Sequence, residues 1–323
     1  MTSIQMIEAA RDRLSGRVRR TPLLSSPFLD EIAGRRVFVK PECLQHTGSF
    51  KFRGAWSAIS GLEPAVRDRG VIAFSSGNHA QGVALAARLH NIPSLIVMPS
   101  DAPRIKIANT RAFGAEVVLY DRATEDRDAI GARISQERGL TLIRPFDEPL
   151  VIAGQGTTGL EIAEQAREEG IETADVLVPA GGGGLASGVA LALEAKAPGL
   201  RVRTCEPVGF DDFARSLEAG SIQRNARQTG SICDAIVTPQ PGSLTFPILS
   251  RLAGSGIAVS DDEALQAVVL AFTRLKIAVE PGGAVALAAG LFHGESLGDT
   301  VVVIASGGNI DSDVLAEAVR RFG

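Results

Sequence analysis

Short apolar runs rich in β-branched residues alternate with longer amphipathic segments along this chain of 323 residues. Strands that are apolar throughout are buried on both faces, and parallel strands are joined by helices that cover those faces. The alternation therefore predicts an α/β protein with mostly parallel, twisted sheets flanked by helices. The predicted strands are Arg36–Val39, Val71–Phe74, Leu95–Met98, Glu116–Leu119, Leu140–Ile143, Val176–Val178, Val202–Cys205, Ile257–Val259 and Val301–Ile304. The predicted helices include Ala80–Leu89, Arg104–Ala112, Glu125–Glu137, Leu160–Arg167, Leu185–Lys196 and Ala264–Lys276.

Four strand–helix units lie close together between about Gly70 and Phe146, and they suffice for one small sheet. The remaining strands come from both ends of the chain and suffice for a second, larger sheet. The chain is also longer than one ordinary domain requires. We therefore predict a small domain, residues 67–147, inserted in a large domain made of residues 1–66 and 148–323.

The charge balance and the cysteines bear on partners and location. Thirty-three Lys and Arg against 37 Asp and Glu leave a net charge of −4 without a basic run, which argues against nucleic acid or an anionic membrane as a partner. No apolar stretch approaches the ~18 residues of a membrane span, and the N-terminus lacks a signal-peptide pattern. The scattered cysteines Cys43, Cys205 and Cys233 fit a reducing compartment. These features predict a cytoplasmic protein.

Four consecutive glycines, Gly181, Gly182, Gly183 and Gly184, lie between a predicted strand and the helix that starts at Leu185. Such a loop lets backbone N–H groups point into one concavity, with the positive end of the helix behind them. This arrangement is typical of an anion site, most naturally for a phosphate. No Gly-Lys-Ser/Thr follows the glycines, so the loop is not the P-loop of a nucleoside triphosphatase.

The same segment also satisfies the dinucleotide-binding pattern, because Gly181 to Ala186 reads G-x-G-x-x-A. Glu206 lies 20 residues beyond Ala186, where an acidic residue contacts the ribose in such folds. Taken alone, the glycine loop therefore leaves a nicotinamide-dependent oxidoreductase, a phosphate-binding enzyme of another class and a ligand-free turn open.

Three further segments combine glycine with polar groups. Lys51 lies in a run of small and aromatic residues, 47–55, and a lysine in an apolar pocket has a lowered pKa, so its neutral amine can form an imine with a carbonyl. The segments 74–82 and 305–311 each follow a predicted strand and are rich in hydroxyl and amide side chains. Loops that follow parallel strands meet at the carboxyl edge of a sheet, where α/β proteins bind ligands.

Six motifs run in order through most of the chain: Ser49-Phe50-Lys51-x-Arg53-Gly54-Ala55, Ser75-Ser76-Gly77-Asn78-His79, Val151–Thr157, Gly181–Gly184, Glu280-Pro281 and Ser306-Gly307-Gly308-Asn309. Together they resemble the serine/threonine dehydratase and serine racemase family, fold type II of the pyridoxal-phosphate enzymes. The resemblance implies a two-lobed fold similar to the tryptophan synthase β subunit, and it makes the nicotinamide alternative far weaker.

The resemblance also implies how the cofactor, pyridoxal 5'-phosphate, is held. Lys51 would bind it covalently through an imine, and Phe50 would pack beside its ring. Asn78 would contact the ring hydroxyl, and Ser306 would face the pyridine nitrogen. The phosphate would lie on the backbone of Gly181, Gly182, Gly183, Gly184 and Leu185.

The substrate implied by the resemblance is a small amino acid. The loop around its carboxylate would consist of Ser75, Ser76, Asn78 and His79. In racemising relatives the residue at Ser76 is a second catalytic acid and base, on the face opposite the lysine. Arg127 and Thr238 align with substrate-side positions. Because relatives are often dimers, the resemblance also implies a homodimer.

In metal-binding relatives, a glutamate, a backbone carbonyl four residues on and an aspartate six residues on hold one divalent cation. Glu206, Phe210 and Asp212 have that spacing. Oxygen ligands favour Mg²⁺ or Ca²⁺ in a structural role. The alternative is a solvated acidic loop in which Asp211 and Asp212 cap a helix.

The expected activity follows from Ser306. A neutral hydroxyl does not keep the pyridine nitrogen protonated, so the ring is a weaker electron sink, and a substrate with a β-leaving group should lose it. We predict a dehydratase, or ammonia-lyase, that converts a β-hydroxy amino acid of the threonine or serine type to a 2-oxo acid and ammonia. The alternatives are an amino acid racemase and a 3-hydroxyaspartate dehydratase. For the latter, Gln45 and His46 are candidate contacts to a larger β-substituent.

Overall fold

The structure is a computed structural model that describes residues 2–75, 77–102, 104–121, 123–227 and 229–323. The described residues form ten strands in two sheets, with helices between consecutive strands. Ser76, for which we predict a catalytic role, lies outside the described residues. None of the helices in the described part of the chain is long and apolar enough to cross a membrane.

The larger sheet has six strands in the order β1-β2-β10-β7-β8-β9. Strand β1 is antiparallel to β2, and all other neighbours are parallel. Its central strands are buried along most of their length, as continuous apolar runs require. The strands are β1 (Leu24–Ser25), β2 (Arg36–Lys40), β7 (Ala174–Pro179), β8 (Leu200–Pro207), β9 (Ile257–Val259) and β10 (Thr300–Ile304).

The smaller sheet has four parallel strands in the order β5-β4-β3-β6. They are β3 (Val71–Phe74), β4 (Ser94–Pro99), β5 (Glu116–Tyr120) and β6 (Thr141–Leu142). All four come from the segment between Gly70 and Phe146 that was expected to form a small sheet. On this basis we propose the division into a small domain, residues 67–147, and a large domain, residues 1–66 and 148–323.

The helices cover the faces of both sheets. In chain order they are α1 (Ile4–Leu14), α2 (Pro27–Ala33), α3 (Lys51–Ser60), α4 (Pro64–Arg67), α5 (Asn78–Leu89), α6 (Arg104–Ala112), α7 (Arg127–Arg138), α8 (Pro149–Glu168), α9 (Gly184–Lys196), α10 (Asp212–Ala219), α11 (Thr245–Leu252), α12 (Asp261–Leu270), α13 (Pro281–Phe292) and α14 (Ser312–Phe322). A single π-helical turn, Ala271–Leu275, follows α12.

All nine predicted strands are present in the structure, and the main differences lie in two elements. Strand β1 was not predicted, because two residues carry no periodic signal. Helix α8 begins at Pro149 rather than Leu160, since Glu148 caps it through the Leu150 N–H. Its first half packs between α3 and α9 and is buried on every side, so it lacks the amphipathic period on which the prediction relied.

A buried cluster of charges fixes the start of α3 to the large sheet. Arg53 is fully buried and forms ion pairs with Glu42 at 2.8 Å and Glu161 at 2.7 Å. Lys40, at the end of β2, donates to the same Glu161 at 2.6 Å. Two cations thus balance two carboxylates, which satisfies the requirement that buried charges be paired. The cluster holds the helix that begins with Lys51.

Candidate active site

Loops that follow the carboxyl ends of strands in both sheets surround one cavity of about 940 Å³. Parallel strands place these loops on one side of each sheet, as the sequence predicts. The predicted site residues that line the cavity are Phe50, Lys51, Ser75, Asn78, His79, Arg127, Gly181, Gly182, Gly183, Gly184, Leu185, Thr238 and Ser306. The structure thus brings together segments separated by most of the chain length.

Lys51 is the first residue of α3, and its amine lies on the cavity wall. Nζ donates a hydrogen bond to the Pro145 carbonyl at 3.0 Å and lies 5.1 Å from the centroid of the Phe50 ring. Burial lowers the pKa of Lys51 to about 8, although the charge of Glu280 opposes the shift. A pKa of about 8 leaves about a tenth of the molecules with a neutral amine at pH 7, far more than for an ordinary lysine, which makes the amine a competent nucleophile and base.

The glycine loop forms the adjoining wall and leads into α9. Gly183 has φ +85°, a conformation that favours glycine, and a Cβ there would lie 2.3 Å from Cζ of Phe213. A Cβ on Gly182 would lie 2.2 Å from the ring of Phe146. No side chain in the described part of the chain caps the first N–H groups of α9. The loop thus presents a helix N-terminus to the cavity, as an anion site requires.

The loop that carries Ser306 is joined to the lysine loop by backbone hydrogen bonds. Phe50 N–H donates to the Ser306 carbonyl at 3.1 Å, and Gly308 N–H donates to the Gly48 carbonyl at 2.8 Å. The hydroxyl of Ser306 forms no hydrogen bond within the described part of the chain, and the residue lines the cavity. These contacts hold the Ser306 hydroxyl and the Lys51 amine in a fixed relation.

Asn78 is oriented by neighbours on both sides of its amide. Its Nδ2 donates to Glu280, and its Oδ1 accepts from Asn309 Nδ2 at 2.7 Å. Burial raises the pKa of Glu280, while Lys106 and Asn78 oppose the shift. Lys106, a buried residue of α6, forms ion pairs with Asp234 at 3.2 Å and Glu280 at 3.7 Å. The network leaves the Asn78 amide with one orientation.

The substrate-side residues differ in their contacts. His79 Nε2 contacts the Ile143 carbonyl at 2.9 Å, and its buried Nδ1 has no partner among the described atoms. Burial, and next the charge of Lys51, lower the pKa of His79 to about 3, so the ring is neutral. Ser75 Oγ accepts the Gly77 N–H at 3.1 Å. The buried hydroxyl of Thr238 has no described partner either, which leaves it available to a ligand.

Lys106 and Arg144 are cavity-lining cations that the sequence analysis missed. Lys106 lies in the first turn of the helix after β4, and Arg144 follows β6. Their position beyond the carboxyl ends of parallel strands is the signal that points to them.

By contrast, Gln45 and His46, proposed as substrate contacts, do not line the cavity. Gln45 is buried against the backbone of Arg19. Its side-chain Nε2 donates to the Arg19 carbonyl, and its Oε1 accepts the Arg19 N–H.

Glu206 faces inward and is not placed to bind a ribose. Its two carboxylate oxygens accept the N–H groups of Phe213 and Ala214, each at 2.8 Å. Burial and the neighbouring charge of Asp212 raise the pKa of Glu206 well above its usual value. Because the ribose-binding acid of a dinucleotide site must reach the ligand, this geometry removes the nicotinamide alternative.

Known proteins are similar to this chain in sequence and in fold. A family model described as "Pyridoxal-phosphate dependent enzyme" matches residues 14–307. The chain is 43% identical over 326 residues to an L-threo-3-hydroxyaspartate ammonia-lyase of a Pseudomonas species, covering 99% of each protein. It is 40% identical to a serine racemase of Oryza sativa subsp. indica, covering 98% of this chain and 94% of the relative. The crystal structure of a threonine deaminase from T.th. superposes with a TM-score of 0.90 at 47% identity, covering 96% of this chain and 99% of that one.

Proposed function

Since the chain belongs to the family of pyridoxal-phosphate-dependent enzymes, we propose that it is a dehydratase that eliminates water from a β-hydroxy amino acid and yields a 2-oxo acid and ammonia. The predicted family, fold class and cofactor are confirmed by these matches. The predicted lyase class agrees with the named ammonia-lyase and threonine deaminase relatives. The observation that carries the proposal is the half-buried Lys51 amine of lowered pKa beside a glycine loop and a Ser306 hydroxyl that has no hydrogen-bond partner among the described residues.

The cavity fits the cofactor at four points. The uncapped N-terminus of α9 behind the glycine loop suits a phosphate, and Lys51 supplies a primary amine of lowered pKa. Ser306 offers a free hydroxyl, and Asn78 offers an amide held in place by Glu280. We assign cofactor binding to Phe50, Lys51, Asn78, Gly181, Gly182, Gly183, Gly184, Leu185 and Ser306. When bound, pyridoxal phosphate supplies an electron sink for the substrate's Cα.

The residues of the chain supply the proton transfers and the orientation. With a lowered pKa, the Lys51 amine accepts the proton at the substrate's Cα near neutral pH. A neutral Ser306 hydroxyl would not keep a proton on the pyridine nitrogen, so the ring would be a weaker electron sink, which would favour loss of the β-hydroxyl from the substrate. We assign the substrate carboxylate to the loop of Ser75, Ser76, Asn78 and His79, and we place Arg127 and Thr238 on the substrate side. The neutral His79 ring serves as a hydrogen-bond partner there.

The test of the proposal is Lys51→Ala, with Lys196→Ala as the matched control because Lys196 is a surface lysine paired with Glu8. Serine, threonine and 3-hydroxyaspartate isomers are assayed for 2-oxo acid and ammonia, and the visible absorbance of bound cofactor is recorded. We expect Lys51→Ala to abolish both signals and the control to keep both. A Lys51→Ala protein that retains activity and absorbance would refute the assignment.

Racemisation is a second candidate activity, since one relative at 40% identity is named a serine racemase. It requires a second acid and base on the face opposite Lys51, for which we propose Ser76. Chiral analysis of recovered serine separates the two activities. We expect Ser76→Ala to lose racemisation while it keeps elimination of one enantiomer, and equal loss of both activities would indicate a binding role instead.

We also propose a structural Mg²⁺ or Ca²⁺ ion at Glu206, the Phe210 carbonyl and Asp212. The two side chains are buried carboxylates, and Asp212 Oδ2 lacks a partner in the described chain, which fits a cation. Among the described residues no three His, Cys, Asp or Glu side chains are grouped so that they could hold a metal ion, so the proposed site needs the Phe210 carbonyl and water as further ligands. We expect Ca²⁺ or Mg²⁺ to raise the thermal midpoint of chelator-treated protein, and Asp212→Asn to remove the effect. An equal midpoint with and without the ions would exclude the site.

Two expectations about the setting of the enzyme are also proposals. A homodimer is inferred from the family resemblance, and sedimentation velocity of the purified protein tests it. A cytoplasmic location is inferred from the cysteine pattern and the charge balance, and fractionation of the source cells tests it.

A further inference from the structure

The segment that follows β6, residues 143–147, is anchored to neighbouring parts of the protein at four of its five residues. The Ile143 carbonyl contacts His79 Nε2 at 2.9 Å, and the Pro145 carbonyl accepts from Lys51 Nζ at 3.0 Å. The Phe146 ring packs directly on Gly182 of the glycine loop. The backbone of this segment, which contacts the side chains of both His79 and Lys51, is therefore fixed before any ligand binds.

The fourth anchor is Asp147, whose carboxylate is fully used within the protein. It accepts the Ser243 N–H at 3.1 Å, the Ser243 hydroxyl at 2.8 Å and the Leu244 N–H at 2.8 Å. Asp147 thus holds the segment against the loop before α11 and does not neutralise its neighbour Arg144.

Arg144 differs from the other four residues of 143–147, since no such anchoring contact is present for it among the described residues. It is exposed and lines the cavity, and among the described residues it forms no hydrogen bond or ion pair. The charge of Arg144 opposes the burial that raises the pKa of Glu148, but the two side chains are not in contact. Lys106, another cation of the same cavity, is already balanced by two carboxylates. Arg144 therefore presents an unpaired guanidinium from a rigid backbone.

We propose that Arg144 selects substrates with a second carboxylate, so that the enzyme prefers a 3-hydroxy dicarboxylic amino acid to threonine or serine. A ligand between Lys51 and His79 lies alongside Arg144, because the backbone on either side of that residue contacts those two side chains. The planar guanidinium matches a carboxylate with two parallel hydrogen bonds. The inference rests on the proposed function and specifies its substrate class.

The test compares two pairs of ligands in Arg144→Gln, Arg144→Lys and the wild type. The first pair is L-threo-3-hydroxyaspartate and L-threonine, scored by kcat/KM. The second pair is L-aspartate and L-2-aminobutyrate, neither of which has a β-hydroxyl. Aspartate carries a carboxylate on Cβ where 2-aminobutyrate carries a methyl group, and the Kd of each is measured by calorimetry. Arg133→Gln is the matched control, because Arg133 is an exposed arginine of α7 that does not line the cavity.

We expect Arg144→Gln to lower the ratio of kcat/KM for the dicarboxylic over the neutral substrate about tenfold, as loss of a charged hydrogen bond predicts. The Kd ratio of the second pair should shift to the same extent, Arg144→Lys should retain part of the preference, and the control should retain all of it. Unchanged ratios in Arg144→Gln would overturn the inference. So would the same loss in Arg127→Gln with none at Arg144, or a loss of bound cofactor in Arg144→Gln, which would assign the guanidinium to the phosphate.

The two proposals fail in distinguishable ways. If the wild type turns over none of the β-hydroxy amino acids, the proposed function fails, while the calorimetric pair still decides the role of Arg144. If the wild type eliminates water from threonine and the ratios do not move in Arg144→Gln, the function stands and the selectivity inference alone is wrong.

Discussion

Arg53 offers the sharpest test of how the buried charge cluster supports the site. Its guanidinium donates to both carboxylate oxygens of Glu42 at 2.8 Å, to Glu161 at 2.7 and 3.0 Å, and to Thr157 Oγ1 at 3.2 Å. Arg53 and Glu42 are both fully buried. Arg53→Met removes the cation and leaves a buried carboxylate without its main partner.

The magnitude follows from what remains after the substitution. The Glu42 carboxylate keeps the Thr21 hydroxyl at 2.8 Å, while Lys40 is engaged with Glu161. Breaking a buried ion pair by removing one partner costs about 3–5 kcal/mol. Because methionine replaces much of the buried aliphatic volume, we assign most of this cost to the uncompensated charge. We expect Arg53→Met to lose about 3–5 kcal/mol of unfolding free energy.

The assay is urea unfolding at pH 7 followed by far-UV circular dichroism, with Arg53→Met/Glu42→Gln as the second variant. The double variant removes the charge that the single one strands, so it should be more stable than Arg53→Met despite carrying one more substitution. A single variant within about 1 kcal/mol of the wild type, or a double variant less stable than the single one, would refute the reasoning.

Two other predictions follow from the site. Gly183→Ala should lower the free energy of unfolding by about 1–2 kcal/mol because of the positive φ, and by a further ~1–3 kcal/mol because the new Cβ contacts Phe213. Gly209→Ala, at φ +82° with open space around it, should lose only the first amount, and equal losses of the two variants in urea unfolding would contradict the role of packing. In cofactor-free protein, burial lowers the pKa of Lys51 to about 8 against the opposing charge of Glu280. The rate of amine acylation, measured by mass spectrometry of the labelled peptide, should therefore rise with pH, reach half of its maximum at about 8 and level off about one pH unit higher. A rate that keeps rising towards the ordinary lysine pKa of about 10.4, as for Nα-acetyl-lysine, would show that the amine is solvated.

The strand pattern and the motifs were predictable because both are local. Apart from β1, each strand of the two sheets lies in a short apolar run, and the pattern of the run does not depend on which strand lies beside it. The same holds for the capping box at Ser260 and Glu263, where both hydrogen bonds join residues three apart. Helix α8 is the exception, since its buried first half has its apolar surface set by α3 and α9 rather than by solvent.

The candidate site divides in the same way. The chemistry of Lys51 and of the glycine loop is written in neighbouring residues, so the motifs identify them. Lys106 and Arg144 belong to no such motif, and their position beyond a strand end does not show which of them is paired. Lys106 is paired with Glu280, 174 positions away in the chain, and only the fold brings the two within 3.7 Å.

By itself, the sequence determined the alternation of strand and helix and the residue types available at each strand end, because backbone periodicity and glycine conformation are properties of short segments. Tertiary structure alone decided which charged groups are paired and which face a ligand. It buries Glu206 against the start of α10, leaves Arg144 at the cavity without an ion pair to any described residue, and supplies the burial that lowers the pKa of Lys51. The physical reason is that desolvation and ion pairing act between groups close in space, and their strength depends on the water that the whole fold excludes.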